Sequence, residues 1–178
     1  MLLAHDELME LVSQGVITNV TPEQVNGSSI DLTLGAKLLV EAHELQQKIV
    51  LRERQPLKTI EFDISDHGFV MRPGMFLLAH TQQMFYLPNN ISAEYKMKSS
   101  MGRIGLDHAT AGWCDPTWHG SALTLELQNV TQAHSIVLHE GDPIGQIIFF
   151  RHASVPLNIS YAARGRYNGD VSVSGVKK

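Results

Sequence analysis

Cysteine is nearly absent. Cys114 is the one thiol in 178 residues, so no intramolecular disulfide can form, and an intracellular chain is expected. No apolar run approaches the length that spans a bilayer. The N-terminal stretch MLLAHDELMELV has acids inside its apolar run and no basic leader, so a secretory signal is not expected. No excess of positive charge exists either. The net charge of −4 argues against a general nucleic-acid binder, because no overall basic field neutralises phosphates. An anionic ligand must be held by local basic residues. Internal repeats are missing, and the nine histidines are scattered without a metal-binding spacing. These absences point to a soluble, cytoplasmic protein with no membrane or nucleic-acid partner.

What is present is enough for one domain with a real core: 43% of the residues are hydrophobic and 18% charged, over a length typical of single domains. His5 to Gln14 reads as an amphipathic helix, with Leu8, Leu11 and Val12 at helical spacing and Gly15 as a stop. Thr21-Pro22-Glu23-Gln24 predicts a second short helical turn. In SSIDLTLG, Ile30, Leu32 and Leu34 alternate with polar residues, the pattern of a half-buried strand. Residues 41–61 are polar and weakly periodic, and a loop or protruding hairpin is expected there. Turn signals at Arg72-Pro73-Gly74, Leu87-Pro88-Asn89-Asn90 and Glu140-Gly141-Asp142-Pro143 separate further strand-like runs. Short strands at near-regular spacing predict an all-β sandwich or barrel with minor helix. One domain over residues 1–178 is expected, with a mobile C-terminal arm from about residue 160.

Chemistry concentrates between Lys98 and Asn129. Ser99 and Ser100 follow a strand and precede a short helix, MGRIGL. Where a capping box would place a glutamate, Arg103 stands instead, with Lys98 just before the serines. Cations at the positive end of a helix are locally unfavourable. An anion docked on the exposed amides and hydroxyls reverses that, and Gly102 permits close backbone approach. A solvated surface turn would carry the same residues. In SALTLELQN, Leu123, Leu125 and Leu127 point one way, while Ala122, Thr124, Glu126 and Gln128 point the other. Glu126 comes shortly after the turn TAGWCDPTWHG, whose Trp113 and Trp118 can wall a base-sized pocket. A desolvated carboxylate there suits proton shuttling. Asp115 in the same turn can accept a sugar hydroxyl, or simply form an Asp-Pro turn. Gln146 is the lone amide in IGQIIFF and needs a backbone or ligand partner. Zinc deaminases use a His-x-Glu and Pro-Cys-x-x-Cys arrangement. One cysteine cannot build it, so hydrolytic chemistry here must rest on a carboxylate and a positioned water without protein-bound zinc.

Several ordered blocks together resemble the dCTP deaminase branch of the dUTPase-like superfamily. EQVNGSSIDLTLG is similar to the family's N-terminal strand signature, and MRPGMFLLAHT to its Pro-Gly-Glu strand. KSSMGRIGL resembles the nucleotide motif Arg-Ser-Ser-Leu-(Ala/Gly)-Arg. TAGWCDPTWHG and LTLELQN resemble the Thr-Ala-Gly-(Phe/Trp)-Ile-Asp-Pro-Gly and Leu-Glu-(Leu/Phe)-x-Asn blocks, and GRYNGD the Lys-Tyr-Gln-Gly-Gln tail.

The resemblance implies a mainly β, dUTPase-like distorted β-barrel (β-clip) with short helices, assembled as a homotrimer with active sites between subunits. It implies dCTP and dUTP as ligands, dTTP as a candidate inhibitor, and Mg2+ bound through the triphosphate. Glu126 takes the role of general base and acid, and Ser99 and Arg103 bind triphosphate and help position the attacking water. Lys98, Ser100, Met101 and Gly102 complete that motif, and Ala111 belongs to the turn that follows. Asp115 matches the carboxylate on the deoxyribose hydroxyl. Thr124 and Leu125 read the base through main chain, and Tyr161 and Arg166 close the tail over the phosphates. The Thr-Ala-Gly-Trp turn and Gly145-Gln146 resemble the bifunctional members, which carry dUTP on to dUMP and pyrophosphate. The chain departs from the pattern at several points. Lys98 replaces an arginine and loses bidentate phosphate geometry. Thr117 replaces a glycine, the segment around Asp107 is one residue short, Arg166 replaces a lysine, and Asp170 stands where a glutamine is expected. Two other functions share these residues, a dUTP pyrophosphatase alone and a non-catalytic nucleotide-binding regulatory homologue. A metal-binding jelly roll is the architectural rival.

Overall fold

Strand alternation builds most of this molecule. The computed structural model describes residues 1–42 and 48–177. In chain order the strands are β1 (Ile17–Thr18), β2 (Ile30–Thr33), β3 (Lys37–Glu41), β4 (Thr59–Asp63), β5 (Phe69–Met71) and β6 (Phe76–Tyr86). They continue with β7 (Ile91–Met97), β8 (Leu106–His108), β9 (Trp113–Cys114), β10 (His119–Asn129), β11 (Ile136–Leu138) and β12 (Pro143–Arg151). Short helices are α1 (His5–Ser13), α2 (Ser99–Arg103) and α3 (Tyr161–Arg164).

Among the described residues the strands form three antiparallel sheets. A six-stranded sheet runs β4-β3-β6-β10-β8 with β1 also on β6, a four-stranded sheet runs β2-β12-β7-β9, and β5 pairs with β11. The two long strands β6 and β10 lie side by side with Leu125 opposite Ala79 and Glu126 opposite Leu78. Their inward side chains, Leu77, Ala79, Leu125 and Leu127, are fully buried. From the other sheet come Ile30, Leu32, Ala93, Ile147 and Phe149, also fully buried. Fully burying one such aliphatic or aromatic side chain contributes about 1.5–3 kcal/mol. Phe85 and Trp118 stack at 5.2 Å between centroids and tie the β10 end of the site turn into this core. The fold is thus mainly β with short helices, as the turn spacing predicts.

The expected first helix ends at Ser13, with Gln14 as its C-cap, and the second helical turn is a single 3-10 turn at Pro22–Gln24. Ile30, Leu32 and Leu34 are buried as the alternation requires. The polar region 41–61 joins a hairpin. Glu41 pairs with Thr59 and Leu39 with Glu61, so its first and last positions are strand; residues 43–47 of the expected loop lie outside the described residues. No helix among the described residues is long and apolar enough to cross a membrane, and this leaves membrane-spanning strands unaddressed.

The C-terminal segment, expected to be a mobile arm, is laid along β10 here. Asp170 O accepts the Ala122 N–H at 2.8 Å, and Gly169 N–H donates to His119 O at 3.1 Å. Asn168 Oδ1 accepts the His119 N–H at 2.7 Å.

Candidate active site

The outward face of β10 opens on a cavity of about 520 Å3, within the range of small-molecule sites. Alternation puts Thr124 and Glu126 on that face while Leu123, Leu125 and Leu127 fill the core. The cross-strand neighbours Phe76 and Leu78 make an apolar wall beside Glu126. On the other side stands the turn that carries Ala111, Trp113, Cys114 and Asp115. That turn approaches β7 closely: Tyr95 N–H donates to Gly112 O at 2.8 Å. A Cβ on Gly112 would lie 2.8 Å from Tyr95 Cβ, so glycine is required there.

Within the turn, Trp113 Nε1–H donates to Asp115 Oδ1 at 3.0 Å and orients that carboxylate at the cavity rim. Trp118 is 6% exposed, and its Nε1–H donates to Tyr167 O at 3.2 Å, so it packs the floor and holds the tail. Thr117 has φ +70°, a conformation that costs a non-glycine residue on the order of 1–2 kcal/mol. Its hydroxyl is used: Oγ1 accepts the Ala162 N–H at 2.8 Å and seats α3, with Tyr161, over the cavity. Burial raises the Tyr161 phenol, whose oxygen accepts the Tyr167 N–H at 3.2 Å. Burial also pushes the Cys114 thiol well up, so the lone cysteine is no thiolate nucleophile.

The structure brings Ala111, Asp115, Thr124, Glu126 and Tyr161 together on this one cavity. Leu125 is in the core, and its contribution is limited to main chain. Strand β8 covers β10 only from Leu127 to Asn129, so among the described residues no strand pairs with the β10 edge beside Thr124 on that side. Lys98, Ser99, Ser100, Met101, Gly102 and Arg103 do not line the cavity. They sit in α2 and its N-cap, with Ser99, Ser100, Gly102 and Arg103 exposed. Lys98 is paired with Asp31 on β2. Gln146 lies opposite Asp31 on β12, where Ser29 Oγ donates to its Oε1 at 3.2 Å, so the lone amide finds a protein partner. Arg166 lines a neighbouring recess of about 380 Å3 together with Arg164, Asp115 and Tyr161.

Sequence reasoning missed the tail residues Tyr167, Ser174 and Val176, which line the cavity together with Asp170, the tail departure already noted. Asp170 does not present a free carboxylate: it accepts from Ser174 Oγ at 2.7 Å and is paired with Lys177. It also missed His108, whose Nε2 lies 3.2 Å from Glu126 Oε2. The histidine flanks the site turn in sequence, but only the β8–β10 register brings it to the glutamate. A carboxylate on an apolar wall, a second carboxylate at the rim and aromatic walls suit a polar planar ring carrying a hydroxylated substituent, with Glu126 placed to move protons.

Residues 2–152 match the model of the dCTP deaminase-like family. A Coprothermobacter proteolyticus protein named dCTP deaminase, dUMP-forming, is 33% identical over 184 residues, covering 99% of this chain and 96% of the relative. A Thermobifida fusca protein of the same name is 36% identical over 176 residues, covering 95% of this chain and 88% of the relative. Among solved structures, the 2'-deoxycytidine 5'-triphosphate deaminase from Agrobacterium tumefaciens superposes with a TM-score of 0.65 at 24% identity, over 83% of this chain and 47% of that one. The chain therefore spans about half the length of that structure, and the likeness concerns the fold.

Proposed function

Because the chain belongs to the dCTP deaminase-like family, we propose that it is an enzyme that deaminates dCTP. We propose further that it carries the product on to dUMP and pyrophosphate, as the names of its relatives describe for them. The observation that carries the reading is the meeting of Glu126, Asp115 and Thr124 on one aromatic-walled cavity. Glu126 takes a proton from a water that attacks the amino-bearing carbon of cytosine. The tetrahedral adduct then collapses, the C–N bond breaks, and Glu126 returns the proton to departing ammonia. Asp115, held by Trp113, accepts the deoxyribose hydroxyl, and the β10 edge at Thr124 reads the base.

The triphosphate is assigned to Lys98, Ser99, Ser100, Gly102 and Arg103. In one protomer these residues lie off the cavity and are largely exposed, which supports a homotrimer in which a neighbouring copy supplies them. Arg166 and Arg164, in the adjoining recess, are placed for the same charge. Mg2+ would ride on the triphosphate oxygens. The carboxylates beside Glu126 are engaged elsewhere, Asp115 with Trp113 and Asp170 with Lys177, and this fits a cation held by the nucleotide. Location in the cytoplasm and a place in pyrimidine deoxynucleotide metabolism follow from that substrate.

The test is direct. Purified protein given dCTP and Mg2+ is expected to release ammonia, and separation of products is expected to show dUMP. Glu126→Gln is expected to abolish ammonia release. Wild-type release by that variant removes Glu126 from this role, and consumption of dUTP with dCTP untouched replaces the reading with a pyrophosphatase.

A further inference from the structure

Glu126 does not stand alone. His108, at the end of β8, is 5% exposed in its side chain and Glu126 27%. The facing atoms, Nε2 and Oε2, lie 3.2 Å apart. Both are shut off from solvent, and neither has any other hydrogen-bond partner among the described residues. The approach is off-line, a close polar contact rather than an aligned hydrogen bond, as is common in catalytic groups before substrate binds.

The proton on that contact is dictated by the backbone. Thr110 N–H donates to His108 Nδ1 at 3.1 Å. An amide can only donate, so Nδ1 accepts, and the neutral ring carries its proton on Nε2, facing the carboxylate. This turn is built at a cost. Thr110 has φ +60°, an unfavourable conformation for a β-branched residue, and Ala109 N–H is tied to Glu126 O at 3.0 Å. Both features fix His108 against Glu126. Tyr95 packs against the imidazole with its ring tilted, 4.6 Å between centroids, and blocks its retreat. Burial and then the Glu126 charge keep the Tyr95 phenol protonated.

We propose that His108 is the positioning residue for Glu126: its Nε2–H anchors Oε2 and leaves Oε1 to the cavity for the water and the departing amine. This rests on the reading of Glu126 as general base. The carboxylate's two oxygens then have separate duties, and its rotamer is set before the nucleotide arrives.

Three variants test it, each checked for fold by circular dichroism and melting: His108→Phe, His108→Gln and Glu126→Gln. With dCTP, His108→Phe is expected to lower kcat on the order of 10- to 100-fold, the scale of a misplaced catalytic group, with KM within about twofold. His108→Gln restores part of the loss, because its amide N–H can still reach Oε2. A packing role predicts the reverse order, since phenylalanine fills the ring volume beside Tyr95 and glutamine does not; that order overturns the proposal. Should His108→Phe not fold, a long-range 1H–15N spectrum of the wild-type protein reads the tautomer directly. A ring proton on Nε2 is expected, and one on Nδ1 overturns the proposal. Glu126→Gln separates the two levels. If it deaminates at the wild-type rate, the reading of Glu126 as general base fails, and the positioning role with it. If it is inactive while His108→Phe keeps the wild-type kcat, only the positioning role fails.

Discussion

The tail supplies the most quantitative prediction, because one side chain closes its loop. Asp170 accepts from Ser174 Oγ at 2.7 Å and pairs with Lys177, and these two charged side chains are 14% and 38% exposed. Lys177 also lies over the Tyr167 ring at 5.5 Å, and its N–H donates to Tyr167 Oη at 3.3 Å. Residues 167–177 thus form a loop closed on itself, docked on β10 through Ala122, Ser121 and Thr124. In Asp170→Ala the hydroxyl bond is lost, worth about 1 kcal/mol, and so is an ion pair between a half-exposed and a mostly buried group, worth about another 1 kcal/mol. Lys177 reaches water once released, so no large desolvation penalty is added. The sum of about 2 kcal/mol corresponds to a roughly 30-fold larger population of undocked tail. Native-state amide exchange measures this. The Gly169, Ala122 and Ser174 amides, each bonded across the tail–β10 contact, are expected to exchange roughly 30-fold faster. Core amides of β12 should keep wild-type rates. Unchanged exchange at the three amides, or a uniform rise across the core, refutes the assignment of Asp170 as the latch.

Two further perturbations probe the frame around the site. In Gly145→Ala the new Cβ would lie 2.2 Å from Tyr95 Cε2 and 2.5 Å from its hydroxyl oxygen. Tyr95 is 4% exposed and bonded to Ile144 O at 3.1 Å, so it cannot step aside. A loss of at least about 2 kcal/mol is expected, a Tm lower by roughly 4–8 °C, and an unchanged melt would show that the ring has room. His80 is held neutral: burial lowers its pKa from 6.5, its Nδ1 contacts Thr81 O at 2.9 Å, and Nε2 accepts the Lys37 N–H at 3.3 Å. Above 6.5 folded and unfolded chains both carry the neutral ring. As pH falls below that value the unfolded chain takes the proton first, so stability falls. His80→Gln is expected to flatten the denaturation midpoint between about pH 7 and pH 5, and an unaltered slope would rule out this source.

What was legible in the sequence was local, and the physics of each element explains why. Alternation in SSIDLTLG and SALTLELQN needs only a pleat with one buried face; β2 obeys it, and so does β10 from Leu123 to Asn129, past the register shift that leaves Ser121, Ala122 and Leu123 all buried. Turn residues set the strand ends. The partition into sheets was not legible, because it depends on registers between distant segments, such as β12 lying between β2 and β7. A strand's own pattern carries its facing, not its neighbour. The polar region 41–61 hid strand ends for a related reason: β4 is an edge strand exposed along most of its length, so no hydrophobic alternation was demanded of it.

The site divides along the same line. Asp115, Thr124 and Glu126 lie within twelve residues of one another on a turn and the strand it feeds, so chain proximity and spatial proximity coincide. Lys98 to Arg103 are nearly as close in sequence, yet they do not line the cavity. The difference is what each segment packs against. Strands β7 and β9 belong to the four-stranded sheet and β8 and β10 to the six-stranded one, so the chain between β7 and β10 passes from sheet to sheet three times. Lys98 pairs with Asp31 on its own sheet, while His108, reached only after the crossover through β8, lies against Glu126. Lys98 to Arg103 are thus held on their own sheet and off the cavity, while Asp115 and Glu126 reach it from two different sheets.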